Sequence, residues 1–209
     1  MRSTVMVVAK EPVAGRVKTR LCPPLTPAEA AAVAAASVAD TLAAAMASGA
    51  DRCLLVLDGR PGPWLPAGVD VVPQDEGGLD RRLEAAWAHV DGPTVQLGMD
   101  TPQVTASLLD DALATVAGGA TVLGPAEDGG WWAVGAPTPL RGAFLGVPMS
   151  TATTGAAQLA RLRRLGREVV RLPVLRDIDL VDDAIAVAAA APWTHTAQVV
   201  AGLGVTATA

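Results

Sequence analysis

Along the chain, short runs of β-branched and aliphatic residues alternate with longer stretches whose apolar positions recur every three or four residues. That alternation of periods predicts βαβ units built around a parallel sheet. Thr4–Ala9 reads as the first strand, and the loop after it runs through Pro24. Thr26 is placed to cap a helix that starts at Pro27, with Glu29 completing a capping box and Gly49 marking the end. Within that helix Val38, Leu42 and Met46 fall four residues apart, one apolar stripe for a core. Strands follow at Cys53–Leu57, Val69–Val72 and Thr94–Gly98, with helices at Leu79–Val90 and Val104–Val116.

The second half is less regular. Ala120–Leu123 and Trp131–Val134 read as two short strands joined by a glycine-rich turn, Gly124 to Gly130. A helix over Thr154–Leu165 leads to a strand at Glu168–Leu172, and a last helix over Asp179–Ala191 is stopped by Pro192.

Composition narrows the class. At 209 residues the chain fits one domain, taken as 1–209, and 51% apolar residues allow a large core. The Ala-rich stretch from Ala28 to Ala50 is interrupted by Ser37, Asp40, Thr41 and Ser48. A membrane span needs about 18 nearly uninterrupted apolar residues, so a packed helix is the expectation and no membrane partner is implied. The run Val5–Ala9 ends at Lys10-Glu11-Pro12, too short for a secretory core. Cys22 and Cys53 lack CxxC spacing and suit a reducing compartment, so a cytoplasmic location is expected. With only His89 and His195, a histidine-rich zinc site is disfavoured, and a net charge of −5 argues against a nucleic-acid groove.

Any basic site must therefore be local, and one stands out. Lys10, Arg16, Lys18 and Arg20 surround Gly15 just after the first strand, and they include both lysines of the chain. The segment has neither GxGxxG nor GxxxxGK[ST], so it is neither a Rossmann fingerprint nor a P-loop. Its place at the carboxyl end of a strand is where open α/β sheets bind ligands. A flexible glycine with flanking cations suits phosphate, against the plainer reading of a solvated surface loop.

Two acidic elements complement it. Asp100 follows the fourth strand in Gly98-Met99-Asp100-Thr101-Pro102, placed either as a magnesium ligand or as the N-cap of the next helix. In Asp177-Ile178-Asp179 the two carboxylates share a face if the chain is extended, which makes Asp177 a second ligand with Asp179 capping. Asp182 and Asp183 fit the first turn of the last helix. Asp128-Gly129-Gly130 with Trp131-Trp132 reads equally as a hairpin turn or as the wall of an acceptor pocket.

In this order, Lys10-x-Pro12-x-x-Gly15-x-x-Lys18-Thr19-Arg20, Gln74-x-x-x-Gly78, Gly98-x-Asp100-x-Pro102, Asp128-Gly129-Gly130 and Asp177-x-Asp179 resemble the rSAM/selenodomain-associated transferase family. Some of these elements are also similar to 2-phospholactate guanylyltransferases and molybdenum-cofactor nucleotidyltransferases. Met149-Ser150-Thr151 stands where the family commonly has Trp-Ser-Thr. The resemblance implies a single GT-A-like α/β domain with a mixed, mainly parallel sheet of about seven strands. It implies nucleotide binding by Lys10, Gly15, Lys18, Thr19, Arg20, Gln74 and Gly78, with Mg²⁺ or Mn²⁺ on Asp100 and Asp177. Asp128, Gly129, Gly130 and Trp131 would face the acceptor.

The resulting expectation is a metal-dependent transferase with Lys18, Arg20 and Asp100 near the chemistry. Its partners would be a nucleotide, as NTP or NDP-sugar, and a small-molecule acceptor. The density of cations favours nucleotidyl transfer from an NTP with loss of pyrophosphate. Glycosyl transfer from an NDP-sugar is the alternative. A silent nucleotide-sensing module is the third reading, and it would require a disabled acidic pair, whereas Asp100 and Asp177 are present.

Overall fold

The β-branched run at the start of the chain forms β1 (Thr4–Lys10), whose Val5, Met6 and Val7 are wholly buried. Burial on both faces is expected of a central parallel strand. The computed structural model describes residues 1–206. Around β1 lies one seven-stranded sheet in the order β3-β2-β1-β4-β6-β5-β7, with helices on both faces. The remaining strands are β2 (Arg52–Asp58), β3 (Asp70–Pro73), β4 (Thr94–Gly98), β5 (Thr121–Pro125), β6 (Trp131–Ala136) and β7 (Val169–Arg171). β1 pairs in parallel with both β2 and β4, β3 with β2, and β7 with β5. Only β6 runs antiparallel, between β4 and β5. This is a single α/β domain with a mixed, mostly parallel sheet.

Helices α1 (Pro27–Ala47) and α3 (Ala106–Ala117) cover one face, packing Val38, Leu42, Leu109 and Val116 on Val5, Val7, Leu55 and Leu97. Each such leucine contributes roughly 1.5–3 kcal/mol by leaving water. The other face packs Met6, Leu54, Val56 and Val134 under α2 (Leu79–Ala86), Trp87, Phe144 and α4 (Thr154–Arg164). By length and composition α1 could cross a membrane; here Val33, Ala34, Val38 and Leu42 are buried in the domain. The capping box is formed as expected, with Thr26 Oγ1 accepting from Glu29 N and Glu29 accepting from Thr26 N.

Several boundaries differ from the sequence reading. The apolar stripe of α1 ends at Leu42 and Ala45, and Met46 is exposed. α2 stops at Ala86, where a 3-10 turn over Trp87–His89 places the Trp87 indole in the core, donating to Gln96 Oε1 at 2.5 Å. α3 starts at Ala106 rather than Val104, because Thr105 caps it by accepting from Leu108 N. Asp100 is therefore not the cap of that helix. α5 (Val181–Ala190) is entered through Asp183, whose carboxylate accepts from the backbone of Asp179 and Leu180, so Asp179 is not its cap either. A further helix, α6 (His195–Gly202), follows Pro192; Thr194 caps it and Asp40 of α1 accepts from His195 N and Thr196 N.

Candidate active site

The strand order turns at β1: the chain proceeds outward through β2 and β3 on one side, then returns to place β4 on the other. A crevice opens at the carboxyl ends of strands where such an order reverses. A cleft of about 840 Å³ lies there, bounded by the ends of β1 and β4, the loop before α1, α2, the β5–β6 turn, the segment before α4, and the Asp177–Asp179 segment.

Lys10, Arg16, Lys18, Thr19 and Arg20 all line it, whereas Gly15 does not; that glycine makes the bend at φ 77°. Lys18 adopts a left-handed conformation, φ 48° and ψ 35°, which turns its side chain inward. Its ammonium sits 2.6 Å from Asp100 Oδ1 and donates to the Ile178 carbonyl, leaving the side chain only 8% exposed. Ile178 N in turn donates to the Asp100 carbonyl at 2.9 Å. Loop, β4 end and acidic segment are thus tied at one point. Arg20 pairs with Asp179 at 2.6 Å but remains 67% exposed. Two of the four loop cations, Lys18 and Arg20, are thus paired with the cleft's own carboxylates.

Asp100, Asp128, Asp177 and Asp179 all face the cleft. Carboxylate oxygens of Asp128, Asp177 and Asp179 come within 4.8 Å of one another. Asp100, expected as a first ligand, lies outside that triad and is engaged by Lys18. Asp128, expected from the sequence as an acceptor contact, lines the cleft and also comes close to Asp177. Burial first, then the charge of Asp128, and beyond it those of Asp179 and Asp100, push the Asp177 carboxyl up to about 6. Three converging carboxylates, of which Asp179 is paired with Arg20, form a hard oxygen donor set, which fits Mg²⁺ or Mn²⁺.

The turn carrying Asp128 is built by close backbone approach. Gly130 N donates to Asp128 Oδ1 at 2.7 Å, and Gly155 N at the start of α4 donates to the Gly129 carbonyl at 2.8 Å. Gly129 has φ 88°, and a Cβ there would meet the Ala152 carbonyl oxygen at 2.1 Å. Gly129 is thus a structural residue and does not line the cleft, while Asp128, Gly130 and Trp131 do. The two tryptophans divide: Trp131 faces the cleft and leans on Phe144, whereas Trp132 is buried, lies over Gly124 and donates to the Pro173 carbonyl.

On the wall formed by α2, Gln74 lines the cleft with its amide fully occupied. Its Nε2 donates to the Ala9 and Val56 carbonyls, and its Oε1 accepts from Arg82 Nη1 at 2.9 Å. Gly78 is the N-cap residue of α2 and does not line the cleft. Arg82, not singled out by the sequence, does line it, as do Leu79 and Leu83.

A profile of the family DUF2064, described as "Uncharacterized protein conserved in bacteria", matches residues 29–151. No curated protein is significantly similar to the chain. Among solved structures, a candidate nucleotide-diphospho-sugar transferase from Desulfovibrio desulfuricans superposes with a TM-score of 0.86 at 22% identity, over 96% of this chain and 94% of that one. A nucleotidyl transferase from Methanothermobacter gives 0.61 at 16% identity over 88% and 95%. Rv0371c from Mycobacterium tuberculosis, solved in complex with manganese, gives 0.54 at 21% identity over 90% and 98%.

Proposed function

The chain belongs to the DUF2064 family, and we propose that it is a divalent-metal-dependent transferase acting on an activated nucleotide. The preferred reaction is nucleotidyl transfer from a nucleoside triphosphate to a small phosphorylated or hydroxylated acceptor. An acceptor oxygen bonds to the α-phosphorus, the α–β phosphoanhydride bond breaks, and pyrophosphate leaves.

The observation that carries this reading is the meeting, in one cleft at the strand-order reversal, of a four-cation loop and a carboxylate triad. Asp128, Asp177 and Asp179 would hold the cation, with Asp100 beside them; the manganese complex of the tuberculosis relative supports a metal in this fold. When bound, the cation supplies charge neutralisation at phosphate oxygens. Lys10, Arg16 and Arg20 neutralise the remaining phosphate charge, and Lys18 holds Asp100 and the Ile178 backbone in register. Trp131 and Met149 form an apolar wall that orients the acceptor and excludes water. Catalysis by such a site is mainly positioning and electrostatics.

Glycosyl transfer from an NDP-sugar is the second reading, favoured by the likeness to the Desulfovibrio protein. Calorimetry separates the two. With Mg²⁺, one nucleoside triphosphate is expected to bind more tightly than any matching NDP-sugar. Tight binding of an NDP-sugar, with triphosphates weak or silent, would replace the first reading by the second.

A further inference from the structure

The floor of the cleft holds a polar side chain that the protein itself only half engages. Gln96 lies inside β4, is 1% exposed and yet lines the cleft. Its Oε1 accepts from the Trp87 indole at 2.5 Å, and its Nε2 makes no hydrogen bond among the described residues. An indole N–H can only donate, so the amide cannot turn over, and its NH₂ is held away from Trp87. Trp87 is itself buried and stacked on Phe144, which makes the lock rigid. Gln158 Oε1 is also unpartnered but is sealed in the core, whereas Gln96 Nε2 is open to the cleft. A nearly buried donor without a partner is costly, and one that faces a cleft is satisfied by what enters it.

The space beside that donor is open and apolar. Gly98 follows two residues later on the same face of β4, opposite Val8 in the register with β1. A Cβ on Gly98 would meet nothing within 4 Å. Leu79 and Leu83 of α2, with Trp131 and Met149, wall the same cleft. The polar groups of the α2 wall are already engaged: Gln74 as described, and Arg82 Nη1 by Gln74 and by Asp58 Oδ2 at 3.3 Å.

Phosphates are drawn to the loop cations and the metal site, and a hydroxylated or phosphorylated acceptor needs several polar partners. The base is the flat, uncharged part of a nucleotide, and it suits an apolar space with one fixed donor. With its phosphates at the cations, the nucleotide presents to the floor the base edge farthest from the sugar. That edge carries O6 in guanine and O4 in uracil, but an amino group in adenine and cytosine. An amino group there would set two donors face to face. From these relations we propose that Gln96 is a specificity-determining residue that selects a nucleotide with an oxo base, and that Trp87 is a positioning residue fixing the sense of its amide. The inference rests on the nucleotide reading above and applies to either donor.

Nucleoside diphosphates are common to both donors, so calorimetry with GDP, ADP, UDP and CDP, each with Mg²⁺, tests this. Mg²⁺-pyrophosphate is the probe lacking a base. Within the purine or pyrimidine pair that binds better, the oxo base should lead its amino counterpart by about tenfold. Gln96→Leu should abolish that lead and leave pyrophosphate binding unchanged. Trp87→Phe, which frees the amide to turn over, should narrow it. Gly98→Ala, whose methyl group meets no protein atom, should weaken all four nucleotides and spare pyrophosphate.

Equal binding within the better pair, or a lead for the amino base, overturns the inference even if Gln96→Leu fails to fold. So does a lead that survives in Gln96→Leu, or an equal loss of pyrophosphate binding there. Unchanged nucleotide binding in Gly98→Ala would place the base away from this floor and overturn it too. An undiminished lead in Trp87→Phe removes the role given to Trp87. Failure of every diphosphate and of pyrophosphate to bind the wild type would instead remove the nucleotide reading, and the inference with it.

Discussion

Lys18 and Asp100 stand 2.6 Å apart, the lysine nearly sealed from solvent and the aspartate 42% exposed. The left-handed backbone at Lys18 and the Ile178–Asp100 backbone hydrogen bond hold the pair in place from both sides. A lysine so enclosed acts first as a tie between three loops. A charge pair with one buried partner loses most when only one side is removed.

Lys18→Met and Asp100→Asn should each destabilise the protein by about 1–3 kcal/mol, scaled below the fully buried case because Asp100 sees water. The double variant should cost less than the sum of the two singles. Urea unfolding of the four proteins checks the coupling; strictly additive losses would mean that the pair contributes nothing. Arg20→Ala, removing a far more exposed pair, should stay within about 0.5 kcal/mol of wild type.

Arg20 has a different expected signature. Its partner Asp179 belongs to the carboxylate triad, so the guanidinium and a divalent cation compete for the same carboxylate. Arg20→Ala should tighten Mn²⁺ binding by up to about fivefold, the limit for an exposed ion pair. The same variant should weaken Mg²⁺-triphosphate binding if Arg20 contacts phosphate as proposed above. Calorimetry with metal alone and then with Mg²⁺-tripolyphosphate measures both. Weaker metal binding in Arg20→Ala would show that Arg20 supports the triad instead of competing for it.

The sheet was legible because each strand carries its own signal: period, β-branching and a following turn suffice to place Thr94–Gly98 or Cys53–Leu57. Local hydrogen-bond chemistry was equally readable at Thr26 and Glu29, three residues apart. The helix after Thr194 lies beyond the elements read from the sequence, although its capping threonine and the apolar Val199, Val200 and Leu203 are signals for it. What the sequence does not contain is which distant polar groups meet. Asp128 lies 49 residues before Asp177, and nothing in the spacing reveals that the β5–β6 turn returns to that segment. Arg82 is one charged residue on an amphipathic helix until the structure shows Gln74 and Asp58 behind it. The place of Asp100 after β4 puts it at the crevice, but its engagement by Lys18 is a tertiary event.

Gly129 tests whether the turn is held as the structure indicates. Gly129→Ala must adopt φ near 88° and push against the Ala152 carbonyl, so a loss of about 2–4 kcal/mol is expected. Gly119→Ala is the control, since Gly119 has φ 100° with open space around it. It should lose only the conformational part, about 1–2 kcal/mol. Because the turn also positions Asp128, Gly129→Ala should weaken Mn²⁺ binding while Gly119→Ala leaves it unchanged. Equal losses of stability for the two variants would mean that the approach of turn and α4 carries no energy.

Asp177 links the metal reading to pH. Its carboxyl is pushed from the ordinary 3.8 up to about 6, by burial and then by the neighbouring aspartates. For an acid raised in this way, the folded state binds more protons than the unfolded state between those two values. Stability from this group is therefore present below about pH 4 and is lost as pH rises through about 6. Asp177→Asn removes the charge that causes the loss. In metal-free buffer at pH 8 the variant should be more stable than wild type, by on the order of 1 kcal/mol once solvent screening is allowed for. At pH 4, where the wild-type carboxyl is protonated, the two should unfold alike. Added Mn²⁺ at pH 8 should reverse the order, because a cation that binds only the folded wild type stabilises it and a neutral amide is a poor ligand. Urea unfolding at both pH values, with EDTA and with Mn²⁺, gives four comparisons. A wild type and variant whose stabilities run parallel from pH 4 to 8 would show that neither burial nor the neighbouring carboxylates raise the Asp177 carboxyl. Equal stabilisation of both by Mn²⁺ would place the metal away from Asp177.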